Sequence, residues 1–173
     1  MTEPLAAPIP GSYWVRPGQL LAGPYPAPWY SGGEQAREQL RALLEAGITF
    51  ILDLTEEYEV DPYWPDLMAE AAAQGREVTH RRMAIPDMAT PGREEMVIIL
   101  DALDAALDAG RTVYVHCLGG IGRTGTVIGC FLARHGLDGQ TALDEIVRLR
   151  GGRTNSPQTD EQFRMVREWQ ELV

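Results

Sequence analysis

The chain has 173 residues, 45% of them hydrophobic, which suits one globular domain. Its formal net charge is −10, with a pI near 4.7, and this argues against general nucleic-acid binding and against docking on anionic membranes, since both need a basic face. All 15 cationic residues are Arg and none is Lys, which removes Schiff-base chemistry and the Lys-dependent nucleotide loop.

Residues 1–12, rich in Pro and Ala, read as a loose N-terminal arm, with the folded domain expected over 13–173. They lack a basic region followed by an apolar one, so no signal peptide is expected. Tyr13–Arg16 and Leu20–Gly23 read as short strands joined by a Pro-Gly turn. Ser31-Gly-Gly-Glu opens a helix to about Ala46, which Gly47 ends. Ile48–Leu54 is an apolar run of β-formers, consistent with a buried central strand. Glu56–Pro65 is an acidic, aromatic loop; a helix follows to about Gln74, then a strand over Val78–Ala84 and a Pro-bounded loop over Ile85–Pro91. Arg93–Ala109 has apolar residues at 96, 99, 100, 103 and 107, a helical period, and Gly110 stops it.

Arg111–His116 is a short strand. After a glycine loop, Thr124–His135 is apolar nearly all round, as a central buried helix would be. Helices are expected over Thr141–Arg150 and Gln158–Leu172. No repeat, low-complexity tract or apolar run of the roughly 20 residues needed to span a bilayer is present. Strands alternate with helices, so the expected fold class is α/β: a single domain with a central, mostly parallel sheet flanked by helices.

The chemistry concentrates at His116-Cys117-Leu118-Gly119-Gly120-Ile121-Gly122-Arg123-Thr124-Gly125, between that last strand and the central helix. Glycines 119, 120 and 122 let the backbone curl with its amides inward, and the following helix adds its N-terminus. Leu118, Gly119, Gly120, Ile121, Gly122 and Arg123 are therefore the candidate phosphate-binding residues. Arg123 can grip two phosphate oxygens in a planar fork, as Arg does better than Lys, though a genome-wide codon bias would also produce the Arg excess. Cys117 lies at the bottom of this cradle, whose field favours the nucleophilic thiolate without a partner base. His116 is then free to orient the loop by hydrogen bonds.

His-Cys-x5-Arg-Thr-Gly resembles the signature of the protein tyrosine phosphatase superfamily, dual-specificity phosphatases included. The Cys-Leu-Gly-Gly-Ile-Gly-Arg form is most similar to the cyclin-dependent-kinase-associated phosphatase group and its bacterial relatives. The resemblance implies a cysteine-phosphatase-like fold and phosphomonoester hydrolysis through a phosphocysteine, with no metal or other cofactor. It also implies that Thr124 stabilises the departing thiolate. The family carries its general acid on a mobile loop about 30 residues before the cysteine. Ile85-Pro86-Asp87-Met88-Ala89-Thr90-Pro91 lies at that distance, which makes Asp87 the candidate, with Ile in place of the Trp of Trp-Pro-Asp. Asp87 as a cap of the next helix is the competing reading.

Gln158-Thr159-x-x-Gln162 resembles the glutamine loop of the tyrosine-specific branch, where two glutamines position the hydrolytic water. Gln162 is preferred for that role, against a capping motif at the same helix start. Cysteine placement sets the chain apart from low-molecular-weight phosphatases and arsenate reductases, whose nucleophile lies near the N-terminus. The Arg-Thr-Gly ending sets it apart from rhodanese-like carriers.

The expected substrate is a phosphorylated protein, phosphotyrosine foremost, or a small phosphomonoester. An inositol phosphate or phosphoinositide is the alternative, and a non-catalytic phosphate-binding module is the reading of another class. No nucleic-acid or membrane partner is expected. The two cysteines, Cys117 and Cys130, build neither a disulfide framework nor a four-ligand zinc site, so a cytoplasmic setting fits. Cys130 reads as core, with a regulatory disulfide to Cys117 the competing possibility. Arg81, Arg82, Arg148, Arg150 and Arg153 either ring the pocket or are solvated. Tyr58, Tyr63 and Trp64 either wall the cleft or pack on the fold. His80 and His135 have no evident partner.

Overall fold

The computed structural model describes residues 3–27 and 33–171. Its elements, in chain order, are β1 (Tyr13–Arg16), β2 (Leu20–Gly23), α1 (Gly33–Glu45), β3 (Phe50–Asp53), α2 (Trp64–Ala73), β4 (Thr79–Arg82), α3 (Arg93–Asp108), β5 (Val113–His116), α4 (Gly122–Arg134), α5 (Gly139–Leu149) and α6 (Asp160–Arg167). Five strands make one sheet in the order β1-β2-β5-β3-β4, with β1 antiparallel and the rest parallel. The expected α/β class and mostly parallel sheet are borne out.

Alternate strand residues feed two cores, as the period of two requires. Leu20, Ala22, Phe50, Leu52, Val113 and Val115 pack with apolar residues of α3, α4, α5 and α6. Leu21, Ile51 and Tyr114 face the other way, onto α1 and α2. The central helix is as expected: every residue from Gly122 to Phe131 is buried. β1 and β2 have the expected bounds, whereas β3, β4 and β5 are shorter than expected, because ladder pairing stops where each chain leaves the sheet.

Three helix bounds are corrected. α4 begins at Gly122, before Thr124. α5 begins at Gly139, before Thr141, because Asp138 caps it by accepting from the Thr141 N–H at 3.0 Å. α6 covers only Asp160–Arg167; Thr159 is its cap, and Leu172 lies outside the described residues, as does the Ser31 start of α1. The described residues of the N-terminal arm form no helix or strand; Ile9 is 3% exposed and the Trp14 indole donates to Ala6 O at 3.1 Å. Among the described residues, no helix is long and apolar enough to cross a membrane.

Candidate active site

The parallel strands end in register. Gly23 pairs with His116, His116 with Asp53, and Asp53 with Arg82, so one row across the sheet marks its carboxyl edge. The three loops leaving that edge carry Glu59 after β3, Asp87 after β4 and Cys117 after β5. Open parallel sheets gather ligands at this edge.

Cys117 is 3% exposed. The loop that follows it leans on the turn after β2, where Tyr25 N donates to Leu118 O at 2.9 Å. Gly120 has φ +71°, and a Cβ there would come within 2.4 Å of the Gly23 carbonyl carbon. Both the dihedral and the space therefore demand glycine. The next residues enter α4, whose N-terminus and first turns lie in the core, so the loop is anchored at both ends by packing.

Arg123 is 1% exposed, and a guanidinium this buried needs a counter-charge. Glu59 supplies it with both oxygens, Oε2 on Nη1 at 2.8 Å and Oε1 on Nη2 at 2.6 Å. Nη1 also donates to Ile85 O at 3.0 Å, and Nη2 lies 3.3 Å from Asp87 Oδ1. The Arg123 hydrogen bonds hold the Glu59 carboxyl below its usual range against a smaller opposing push from burial. Asp87 itself is exposed, with Oδ1 accepting from Met88 N at 3.0 Å.

Beneath the loop lies a buried polar chain. His116 Nδ1 is 2.9 Å from Cys117 O, which can only accept, so this nitrogen bears the proton. Nε2 is then the acceptor for the Tyr63 hydroxyl at 2.5 Å. Burial pushes the His116 imidazolium down in stability, against the pull of Asp53. Asp53 is itself buried, which raises its carboxyl, but hydrogen bonds from His80 and Thr55 outweigh burial and hold it below the carboxylate range. His80 Nε2 is 2.9 Å from Asp53 Oδ2.

The Thr124 hydroxyl is buried and has no hydrogen-bond partner among the described residues. Gln162 is fully buried and Gln158 exposed. Both reach the start of α4: a Cβ on Gly122 would lie 3.0 Å from Gln162 Oε1 and 3.1 Å from Gln158 Oε1. The capping box is present, with Thr159 Oγ1 accepting from Gln162 N at 3.2 Å and Gln162 Oε1 accepting from Thr159 N at 3.1 Å.

The weaker candidates divide. Tyr63 packs in the core, whereas Tyr58 and Trp64 line a cleft of about 630 Å³ together with Glu57, Glu59, Asp61 and Arg82. Arg148 pairs with Glu145 and Arg150 with Asn155. His135 finds Asp104 at 2.8 Å. Cys130 is a free thiol within the core, and burial pushes its pKa up. Two residues were missed by sequence reading, Glu59 and Asp53, and Tyr63 was read only as cleft wall or packing, not as the donor to His116. The only sequence signal for Glu59 was a run of carboxylates in the loop after β3.

A family model described as PTP-SAK, the Swiss Army Knife protein DSP-PTPase phosphatase domain, matches residues 10–171. The chain belongs to this family. Tk-PTP in its active form superposes on this DSP-PTPase domain with a TM-score of 0.71 and 28% identity, covering 92% of this chain and 95% of that one. Kinase associated phosphatase with its catalytic-site cysteine replaced by serine gives a TM-score of 0.68 at 26% identity, over 86% and 83% of the two chains. Cyclin-dependent kinase inhibitor 3 of Rattus norvegicus is 28% identical over 133 residues, 76% of this chain and 61% of that protein. Dual specificity protein phosphatase CDC14B of Mus musculus is 38% identical over 71 residues, 41% of this chain and 14% of that protein. The DSP-PTPase domain thus spans less than two thirds of either curated relative. The family expected from residues 116–125 is borne out.

Proposed function

We propose that this protein hydrolyses phosphomonoesters through a phosphocysteine on Cys117, with phosphotyrosine in proteins as its leading substrate. The observation that carries the reading is the convergence on Arg123. The guanidinium is buried, oriented by Glu59 from one side and approached by Asp87 from another, directly beyond the loop that begins at Cys117.

In the first step the Cys117 sulfur forms a bond to phosphorus while the bond from phosphorus to the leaving oxygen breaks. Asp87 gives its proton to that oxygen. Arg123 and the amides of Leu118, Gly119, Gly120, Ile121 and Gly122 take the charge on the equatorial oxygens. In the second step water attacks phosphorus, Asp87 takes the water's proton, and the sulfur leaves as thiolate. Thr124 has an unspent buried hydroxyl to stabilise that leaving sulfur. His116 acts through the loop backbone, not as the base, because its Nδ1 proton is committed to Cys117 O and its Nε2 lone pair to the Tyr63 hydroxyl. The cycle requires a reduced Cys117, a requirement that a cytoplasmic setting would meet.

The cleft beside the site favours a protein substrate over a polyphosphorylated one. It carries Glu57, Glu59 and Asp61 against one cation, Arg82, which lies 3.4 Å from Asp53. PTPMT1, solved with PI(5)P, shares the fold at 17% identity, and that likeness extends to the fold alone. A side-by-side assay of phosphotyrosine, phosphoserine and phosphothreonine peptides with inositol phosphates and phosphoinositides tests the choice. Vanadate-sensitive turnover fastest on phosphotyrosine is expected. Faster turnover of an inositol phosphate would overturn the substrate class, and binding without any turnover would overturn the enzyme reading.

A further inference from the structure

Gln162 has a hydrogen-bond pattern that decides what its amide can do. Oε1 accepts from Gln158 N at 3.0 Å and from Thr159 N at 3.1 Å, while Nε2 donates to Ala89 O at 3.1 Å. The orientation of the amide follows from chemistry, since two N–H donors must face oxygen and a carbonyl must face the NH₂. Both lone pairs of Oε1 are therefore used, and the side chain is fully buried.

Ala89 lies two residues beyond Asp87, in the loop that carries it. That loop hangs from two points. Ile85 O accepts from Arg123 Nη1 at one end, and Ala89 O accepts from Gln162 Nε2 at the other. Between them, residues 86–88 are exposed, with a turn closed by Ala89 N donating to Pro86 O at 3.0 Å. The second anchor sits against the start of α4, because the Gln162 amide abuts Gly122, where a Cβ would meet it at 3.0 and 3.1 Å. Gln162 therefore ties the acid loop to the helix that opens from the phosphate loop.

We propose that Gln162 is a positioning residue that latches the acid loop, and so sets Asp87 for the first step, while the hydrolytic water is held by Gln158. The proposal rests on Asp87 being the general acid. A water that must give its proton to Asp87 needs an acceptor to orient it, and Gln162 Oε1 has none left to offer. The Gln158 side chain is exposed, reaches the same start of α4, and makes no hydrogen bond among the described residues.

The two roles leave opposite kinetic signatures. Gln162→Glu keeps an oxygen for the Gln158 and Thr159 amides and removes the donor to Ala89. The value of kcat/KM reports formation of the phosphocysteine. It should fall on the order of 10- to 100-fold for phenyl phosphate and phosphotyrosine, whose leaving groups need the acid, and by no more than about threefold for an aryl phosphate with a strongly acidic phenol. No burst of phenol is expected. Gln158→Ala should do the reverse, leaving kcat/KM intact, lowering kcat and producing a burst.

An unchanged kcat/KM with a burst in Gln162→Glu, or a loss that is the same for every leaving group, would overturn the latch. Amide exchange over residues 85–91, measured on the same variant and on Gln162→Met, reads the latch without turnover. Faster exchange is expected, and exchange equal to wild type would overturn it. Asp87→Asn separates the premise from the proposal. If its loss on phenyl phosphate is no greater than on the acidic phenol ester, the acid assignment fails, whatever Gln162 does.

Discussion

Residues 117–123 and residues 85–91 both leave the carboxyl edge of a parallel strand and both reach Arg123, yet they are held in different ways. The phosphate loop runs from β5 into α4, and its neighbours on both sides are core. The acid loop has two backbone anchors, on Arg123 and Gln162, with Asp87 and Met88 exposed between them. The difference matches the work that the proposed cycle asks of each. Charge stabilisation gains from groups already fixed in place, because no reorganisation is needed as charge develops. A proton donor that must become a proton acceptor in the next step gains from a short segment able to adjust between fixed ends.

The largest expected effect separates the cradle from the nucleophile. Cys117→Ser should lower turnover of an aryl phosphate by at least about 10⁴-fold, because a hydroxyl in this site lacks a base to activate it. Binding of vanadate, measured by calorimetry, should survive as a non-covalent complex, since the amides and Arg123 remain. Retained turnover would overturn the mechanism, and loss of all oxyanion binding would show that the sulfur helps to shape the loop.

Two residues at positive φ test the contrast in rigidity directly. Gly120 has φ +71° with no room for a Cβ, whereas Met88 has φ +66° at an exposed position in the acid loop. Gly120→Ala should lower unfolding stability by at least about 2 kcal/mol, from the strained dihedral and the clash with Gly23 together. Met88→Gly should change it by less than about 1 kcal/mol, because relief of backbone strain offsets the added freedom of the unfolded chain. Equal losses in denaturant titrations would break the comparison.

The contrast also explains what was legible before folding. Cys117 and Asp87 each stand in a loop that directly follows a strand, and Arg123 opens the helix after one of them, so spacing along the chain reported on spacing in the candidate site. Glu59 did not stand out because its partner is 64 residues away and any of four carboxylates in that loop was eligible. The requirement was legible even so: a guanidinium buried by a central helix needs an acid. His80 found no partner in the sequence because Asp53 reaches it only through the pairing of β3 with β4. The expected start at Thr141 lay two residues late, because the Asp138 cap outweighs the poor helix propensity of Gly139 at the first position of α5. The glutamine pair shows the limit of pattern: its spacing is the same for a water site and for a capping box, and only burial and hydrogen bonding in the fold distinguish the two residues.

Glu59→Gln gives a smaller, pH-dependent effect on the shared Arg123. Arg123 holds the Glu59 carboxyl below its usual range, so the contribution of this pair to stability is fully present above the unfolded value, about 4.3, and is lost as pH falls through the lower folded value. At neutral pH the variant should be less stable by about 1–3 kcal/mol, since a buried guanidinium keeps a hydrogen-bond acceptor but loses its counter-charge. The gap between wild type and variant should close as pH falls below that window. A gap that stays constant with pH would mean that the ion pair is not what holds Arg123.

The smallest expected effect on activity comes from within α4 itself. Cys130 is fully buried among the apolar residues that seat this helix, thirteen positions after Cys117, and its thiol pKa is raised by burial. Cys130→Ala removes one sulfur from the packing behind the phosphate loop and should lower stability by about 1–2 kcal/mol. If the loop is anchored by the whole of α4 and not by any one contact, kcat/KM should stay within about twofold of wild type. Iodoacetamide at neutral pH should label one thiol per chain, Cys117, in both proteins, because the buried Cys130 holds its proton and lacks access. A loss of kcat/KM of about tenfold or more would show the loop to be poised on a single packing contact. Oxidative inactivation of wild type that Cys130→Ala abolishes would instead assign Cys130 a role as disulfide partner of the nucleophile.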